Sequence, residues 1–165
     1  MLMKKLFLFG IATILLCACR PQKKFPEVPY IEFFSIEKID DGTGVDNQAN
    51  LTIYFRDGNG DIGLDEADTA GVFAKDSAYY YNFFINYYEK QNGEWVLVEL
   101  PTPLHARLPY FSNNVPESIE GNITITTFIN NYFSRYDTVK LVCQMVDRAL
   151  NQSNIIETPE IIVNK

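Results

Sequence analysis

The residues best suited to chemistry lie in one stretch, Asp57-Gly-Asn-Gly-Asp-Ile-Gly-Leu-Asp-Glu-Ala-Asp68. Counted from Asp57, side-chain oxygens fall at Asn59, Asp61, Asp65 and Asp68, which are positions three, five, nine and twelve. Alternate residues that curl around one point bring such oxygens onto a hard cation, while the glycines between them take the tight turns. Two features separate the stretch from an EF-hand. Position six is Ile62, with Gly63 one place late, and position twelve is Asp68 rather than the longer Glu. The expectation is a looser Ca²⁺ loop after a strand, with Asp57, Asn59, Asp61, Asp65 and Asp68 as candidate ligands. The competing reading is a solvated Asp/Gly/Asn turn, which this composition also suits.

Other chemistries find little to work with. His105 is the only histidine, and no serine sits in a nucleophile-elbow sequence, so a Ser/His/Asp triad has one weak candidate base. One His and one unpaired Cys do not make a zinc site without several carboxylates. A small hydrolase with paired carboxylates is the least favoured reading, because nothing in the chain builds a cleft around such a pair. With 14 Lys and Arg against 21 Asp and Glu, the net charge is −7, which disfavours a nucleic-acid partner. The expectation is a non-enzyme.

The elements that must position the loop repeat with period two. Apolar alternation runs through Tyr30–Ile39, Leu51–Asp57, Tyr79–Lys90, Glu94–Leu100, Asn122–Ile129, Thr138–Asp147 and Ile155–Val163. These runs are rich in β-branched and aromatic residues, as strands are. Gln91-Asn92-Gly93 supplies a hairpin turn, since Asn-Gly tolerates positive φ. No helical stripe of eleven or more residues interrupts them. About seven strands spread over residues 30–165 predict an all-β domain, an immunoglobulin-like or fibronectin type III-like antiparallel sandwich, with a small barrel as second choice. In that strand order the Asp57–Asp68 loop and the Asp147–Asn151 turn share one end. Asp147 therefore joins the ligand set, and the connection with His105 and Arg107 and the tether near Pro26 should reach the same end.

The N-terminus carries an address. Lys4 and Lys5 precede an apolar run from Leu6 to Leu16, too short to span a bilayer and right for a secretory signal. Leu16-Cys17-Ala18-Cys19 resembles the lipobox of bacterial lipoproteins, which implies a signal peptide over 1–18 and an acylated (palmitate-type) Cys19. Residues 19–29 then form a proline-bearing tether of roughly 30 Å reach at ~3.1 Å per residue. Cys143 is left as the only other cysteine of the mature chain, without a disulfide partner and expected as a buried, inert thiol on a core face.

Two further segments extend the resemblance. Phe55-Arg-Asp-Gly-Asn-Gly-Asp-Ile-Gly63 is similar to the Asp-Gly-Asp-Gly-Asp-Ile-Gly loop of many Bacteroidota envelope lipoproteins. Val146-Asp-Arg-Ala-Leu-Asn-Gln-Ser153 resembles the Asp-x-Ala-Gly-Asn-x-Ser turn near the end of bacterial immunoglobulin-like domains, with Leu150 where those often carry Gly. The resemblance implies an outer-membrane lipoprotein. The basic run after Cys19, with no acid before Glu27, favours the periplasmic face over the cell surface.

Two surface features complete the reading. Tyr80, Asn82, Phe84, Asn86 and Tyr88 share one face of a run and offer a stacking platform for a glycan or a patch for a protein. Asp68-Thr69-Ala70, Asp76-Ser77-Ala78 and Asp137-Thr138-Val139 resemble the Bacteroidota O-glycosylation sequon, which nominates Thr69, Ser77 and Thr138. The expected function is a membrane-anchored, non-catalytic binding or assembly module with bound Ca²⁺, partnered by an envelope protein. A glycan-binding module that uses the exposed tyrosines is the alternative.

Overall fold

The computed structural model describes residues 24–111 and 117–165. Its strands are β1 (Tyr30–Ile39), β2 (Gln48–Asp57), β3 (Phe83–Gln91), β4 (Glu94–Leu97), β5 (Ile119–Phe128), β6 (Thr138–Met145), β7 (Ile156–Glu157) and β8 (Ile161–Ile162). They form two antiparallel sheets, β1-β2-β5 and β4-β3-β6-β7, with β8 also pairing to β6. This is the antiparallel sandwich that the spacing of the runs predicts. Among the described residues no helix is long and apolar enough to cross a membrane. Cys19 and its lipobox lie outside the described residues.

The alternation explains the layers. Leu51, Ile53 and Phe55 of β2 point inward, as do Phe83, Ile85 and Tyr87 of β3 and Val139, Leu141, Cys143 and Met145 of β6, and all are buried in one cluster. A strand sends successive side chains to opposite faces, so each run delivers every second residue to that core. Cys143 is buried as expected, and burial pushes its thiol up to about 12, which leaves it without thiolate character.

Only the first run keeps its expected bounds: β2 starts earlier, at Gln48, β5 runs Ile119–Phe128, β6 ends at Met145, and three further differences have local causes. β3 begins at Phe83 because Tyr79 and Tyr80 are taken up in turns, donating to Val72 O and Ser77 O. The final run is split into β7 and β8 around Pro159, which lacks an N–H for the ladder. Thr158 bridges the break, its N–H donating to Leu141 O while its hydroxyl accepts from the Leu141 N–H. β4 stops at Leu97, yet Val98 and Ala106 still bond to Tyr87 and Phe83, so the segment after β4 continues along the β3 edge. The Asn92-Gly93 hairpin forms as expected, both residues with positive φ.

Candidate metal centre

Asp57 closes β2 in the three-stranded sheet, and Asp147 follows β6 in the five-stranded one. The sandwich brings these strand ends together, and side-chain oxygens of Asp57, Asp61 and Asp147 lie within 4.8 Å of one another. Oxygens held 2.3–2.6 Å from one cation can be no more than about 5 Å apart, so the cluster has the dimensions of one coordination sphere.

The turn after β2 is tied to that shape. Asp61 N–H donates to Asp57 Oδ2 at 3.0 Å, which folds the loop back on its first residue. On the other side Arg148 N–H reaches Asp61 O at 3.1 Å and joins the two loops by their backbones. Asp147 is fixed by Asn151, whose backbone N–H and side-chain amide donate to its two carboxylate oxygens at 2.7 and 2.8 Å. The tether docks at the same place. Phe25 N–H donates to Ser118 Oγ, Ser118 Oγ donates to Gly58 O, and a Cβ at Gly58 would stand 2.3 Å from Phe25 O.

Electrostatically the cluster is unfinished. Asp57 Oδ1, Asn59 Oδ1 and Asp61 Oδ1 are buried and have no hydrogen-bond partner. Buried polar atoms are normally paired, and an orphaned one costs about 1–3 kcal/mol. Asp57 is fully enclosed, and burial, followed by the charge of Asp61, pushes its carboxyl up to about 6. Burial and then the charge of Asp147 raise Asp61 in the same direction. Arg148, whose charge acts on Asp61 only as a minor influence, is paired with Asp68 at 2.8 Å. An all-oxygen donor set with carboxylates in excess fits a hard divalent cation, and the absence of sulfur or imidazole from it argues against zinc or copper.

Of the sequence-nominated ligands, Asp57, Asp61 and Asp147 are gathered, and Asn59 lies between the first two with its oxygen unpartnered. Asp65 and Asp68 are not gathered, and their nomination is corrected here. The reason is Ile62. It is buried in the core where an EF-hand has Gly, and Leu64 N–H then bonds to Leu108 O at 2.9 Å, so the chain leaves the cluster. Asp68 instead accepts from Asp65 N–H, and Asp65 is exposed. Arg107 reaches this neighbourhood as expected, donating to Asp65 O, Asp68 O and Tyr80 O. Asn151 was visible only as part of the turn motif, and its role as the clamp on Asp147 emerges from the fold.

The other nominated residues have defined places. His105 Nδ1 accepts from Ile85 N–H at 3.1 Å, its ring meets Tyr81 and Phe84 edge-on, and burial lowers its pKa. It is a neutral brace between β3 and the following connection. The tyrosine platform is corrected: Asn82 is buried and exchanges two hydrogen bonds with Leu108, while Tyr80 lies off the strand under Arg107. Tyr88 sits beneath Lys140. The hydroxyl of Ser77 is turned into its own turn, donating to Val72 O and Ala74 O, and Thr138 donates to Asp137 Oδ1. Of the three sequon residues only Thr69 is exposed.

No protein-family model, curated protein or solved structure matches the chain.

Proposed function

We propose that the chain is a lipid-anchored, non-catalytic binding or assembly module of the bacterial envelope, closed at its tethered end by a divalent cation, with Ca²⁺ the best fit. The observation that carries the cation is the convergence of buried, unpartnered oxygens from Asp57 and Asp61 on Asp147. Ca²⁺ accepts irregular oxygen sets of six to eight, whereas Mg²⁺ demands a near-ideal octahedron and keeps several waters. Asp57, Asn59, Asp61 and Asp147 would hold the ion, which would supply charge neutralisation and no reaction step. The non-catalytic part rests on His105, the one candidate base, being used as a hydrogen-bond acceptor by the backbone.

Calorimetric titration of the chelator-treated full chain with CaCl₂ tests the cation. Saturable binding at one site, with Kd on the order of 10⁻⁴–10⁻³ M as in extracellular modules, is expected, and Asp61→Asn should weaken it at least tenfold. Absence of heat at 10 mM CaCl₂, in a protein that unfolds cooperatively, refutes it.

A further inference from the structure

The end of the sandwich opposite the acidic cluster carries a groove of about 390 Å³. Its walls are Leu100–Leu104 from the connection after β4, Thr126–Phe128 from the end of β5, and Asn130–Phe133 from the loop that follows. In a chain with 21% charged residues, none of these positions is Asp, Glu, Lys or Arg. Three aromatics stand out of the surface here: Phe128, Tyr132 and Phe133, the last 90% exposed. Their loop is held, not loose. The buried carboxylate of Glu89 accepts from Asn131 Nδ2 and Ser134 Oγ at 2.9 and 2.8 Å, Lys165 Nζ donates to Asn131 O and Ser134 O, and Tyr132 OH donates to Asn47. A framework that fixes an exposed Phe in water marks a contact surface.

Two observations say what the surface takes. Asn130 is only 9% exposed and Thr127 only 4%, yet both amide atoms of Asn130 and the hydroxyl of Thr127 lack any partner. An unused donor and an unused acceptor on one amide match the N–H and C=O of one extended residue, the pair that the Asn154 amide clasps at Ile31. The second observation is the strand edge. β5 pairs with β2 alone among the described strands, in a register unbroken from Gln48↔Phe128 to Asp57↔Ile119. The opposite edge, β1, is protected: its register slips between Phe33 and Ser35, and the Asn154 amide clasps both the N–H and the C=O of Ile31. Sheet edges left flat and free of Lys and Pro are templates for another strand.

We propose that this groove and the adjoining end of β5 form a docking site for an extended, uncharged segment of a partner protein. The segment adds as a strand beside Thr126–Phe128, seats one apolar side chain against Leu100, Pro103 and Phe128, and gives the N–H and C=O of one residue to Asn130. A saccharide fits less well, because the walls are mostly hydrocarbon and the free polar groups are few. The Asn130 amide is closed to water in this conformation, so docking parts the wall, and Phe133 is the wall residue with least packing to lose. The inference deepens the binding-module reading and is independent of the cation.

The test is an octapeptide display library screened against the full chain in mild detergent. Enriched peptides should be uncharged, with one aromatic or branched aliphatic anchor. Their affinity should fall at least tenfold in both Phe133→Ala and Asn130→Ala. Asn130→Ala should at the same time leave the melting temperature unchanged or raised, because the amide it removes is unpaired in the free protein. That combination separates recognition from damage to the fold. Failure to enrich any peptide, or enriched peptides indifferent to both variants, overturns the site. Binding on a glycan array that Asn130→Ala abolishes overturns the peptide in favour of a saccharide. A crosslinked envelope partner held equally by wild type and Phe133→Ala overturns the groove and leaves the module reading standing.

Discussion

Asp57 offers a sharp test of the acidic cluster through pH. Its carboxyl is held near pH 6 in the folded chain, against 3.8 for an ordinary Asp, because burial and the neighbouring carboxylates oppose its ionisation. Ionising it in the fold therefore costs on the order of 3 kcal/mol at 1.36 kcal/mol per pKa unit. With the folded pKa raised, the folded state binds more protons than the unfolded state between about pH 4 and pH 6. Stability is then fully present below the unfolded value and falls as pH rises through 6. Asp61 is raised as well and adds in the same direction. Asp41 and Asp46 are lowered by their hydrogen bonds, so their contributions are lost only as pH falls below about 4, outside this window. His105 does act inside it: burial lowers its pKa, so its contribution is lost as pH falls below 6.5.

The assay is therefore a difference. Thermal unfolding of wild type and Asp57→Asn is compared in chelator at pH 4.5 and pH 7, which cancels His105. The variant should gain on wild type by about 2 kcal/mol across that range, because part of the shift is already present at pH 4.5, and this is roughly 6–8 °C in melting temperature for a domain of this size. Adding 10 mM CaCl₂ at pH 7 should close most or all of that gain, since a ligand at 10 to 100 times its Kd stabilises the wild type by about 1.4–2.7 kcal/mol. Parallel melting curves for the two proteins at both pH values would refute the buried-carboxylate argument. A gain left unchanged by Ca²⁺ at pH 7 would refute the cation while leaving that argument intact.

Three further outcomes are expected. Gly63→Ala should destabilise by 3 kcal/mol or more on the order of a strained, overpacked site, because Gly63 has φ +93° and its Cβ would stand 2.0 Å from Pro109 O; denaturant titration checks it. Leu150 holds φ +68° on a half-exposed turn, so Leu150→Asn should stabilise by about 0.5–1 kcal/mol, since Asn adopts this left-handed conformation more readily; an unchanged denaturation midpoint counts against it. Cys19→Ser should move the protein from the membrane to the soluble fraction of its host, because two or three acyl chains give stable anchoring and none gives little; sedimentation after a high-salt wash decides it.

The sandwich was legible because its information is local. Leu51, Ile53 and Phe55 alternate with polar neighbours, and one buried face per strand leaves few other arrangements. The acidic cluster was legible in part. Asp57, Asn59 and Asp61 are close in sequence, and Asp147 followed from placing two strand ends together. Asp65 and Asp68 were misread because ligand spacing assumes a loop that keeps curling, and a buried Ile62 pulls the chain out of the curl. The groove was invisible. Asn130 and Thr127 become notable only when the fold buries them without partners, and no spacing rule encodes a missing hydrogen bond.

On the proposed reading, a cation at the acidic cluster would tie the two sheets together, where the described residues contain no disulfide to do so. Asp57 and Asp61 extend the three-stranded sheet, and Asp147 extends the five-stranded one. Their facing ends carry like charges, so repulsion opens the sandwich there unless something positive is shared between the sheets. Phe25 and Pro26 dock on Gly58 at the same point, so the segment that leads into β1 is fixed beside the cluster. A cation held jointly by the two sheets would convert that repulsion into a crosslink between them. The groove at the far end, where Glu89 and Lys165 hold the loop through hydrogen bonds alone, would then keep its shape whether or not the cation is bound.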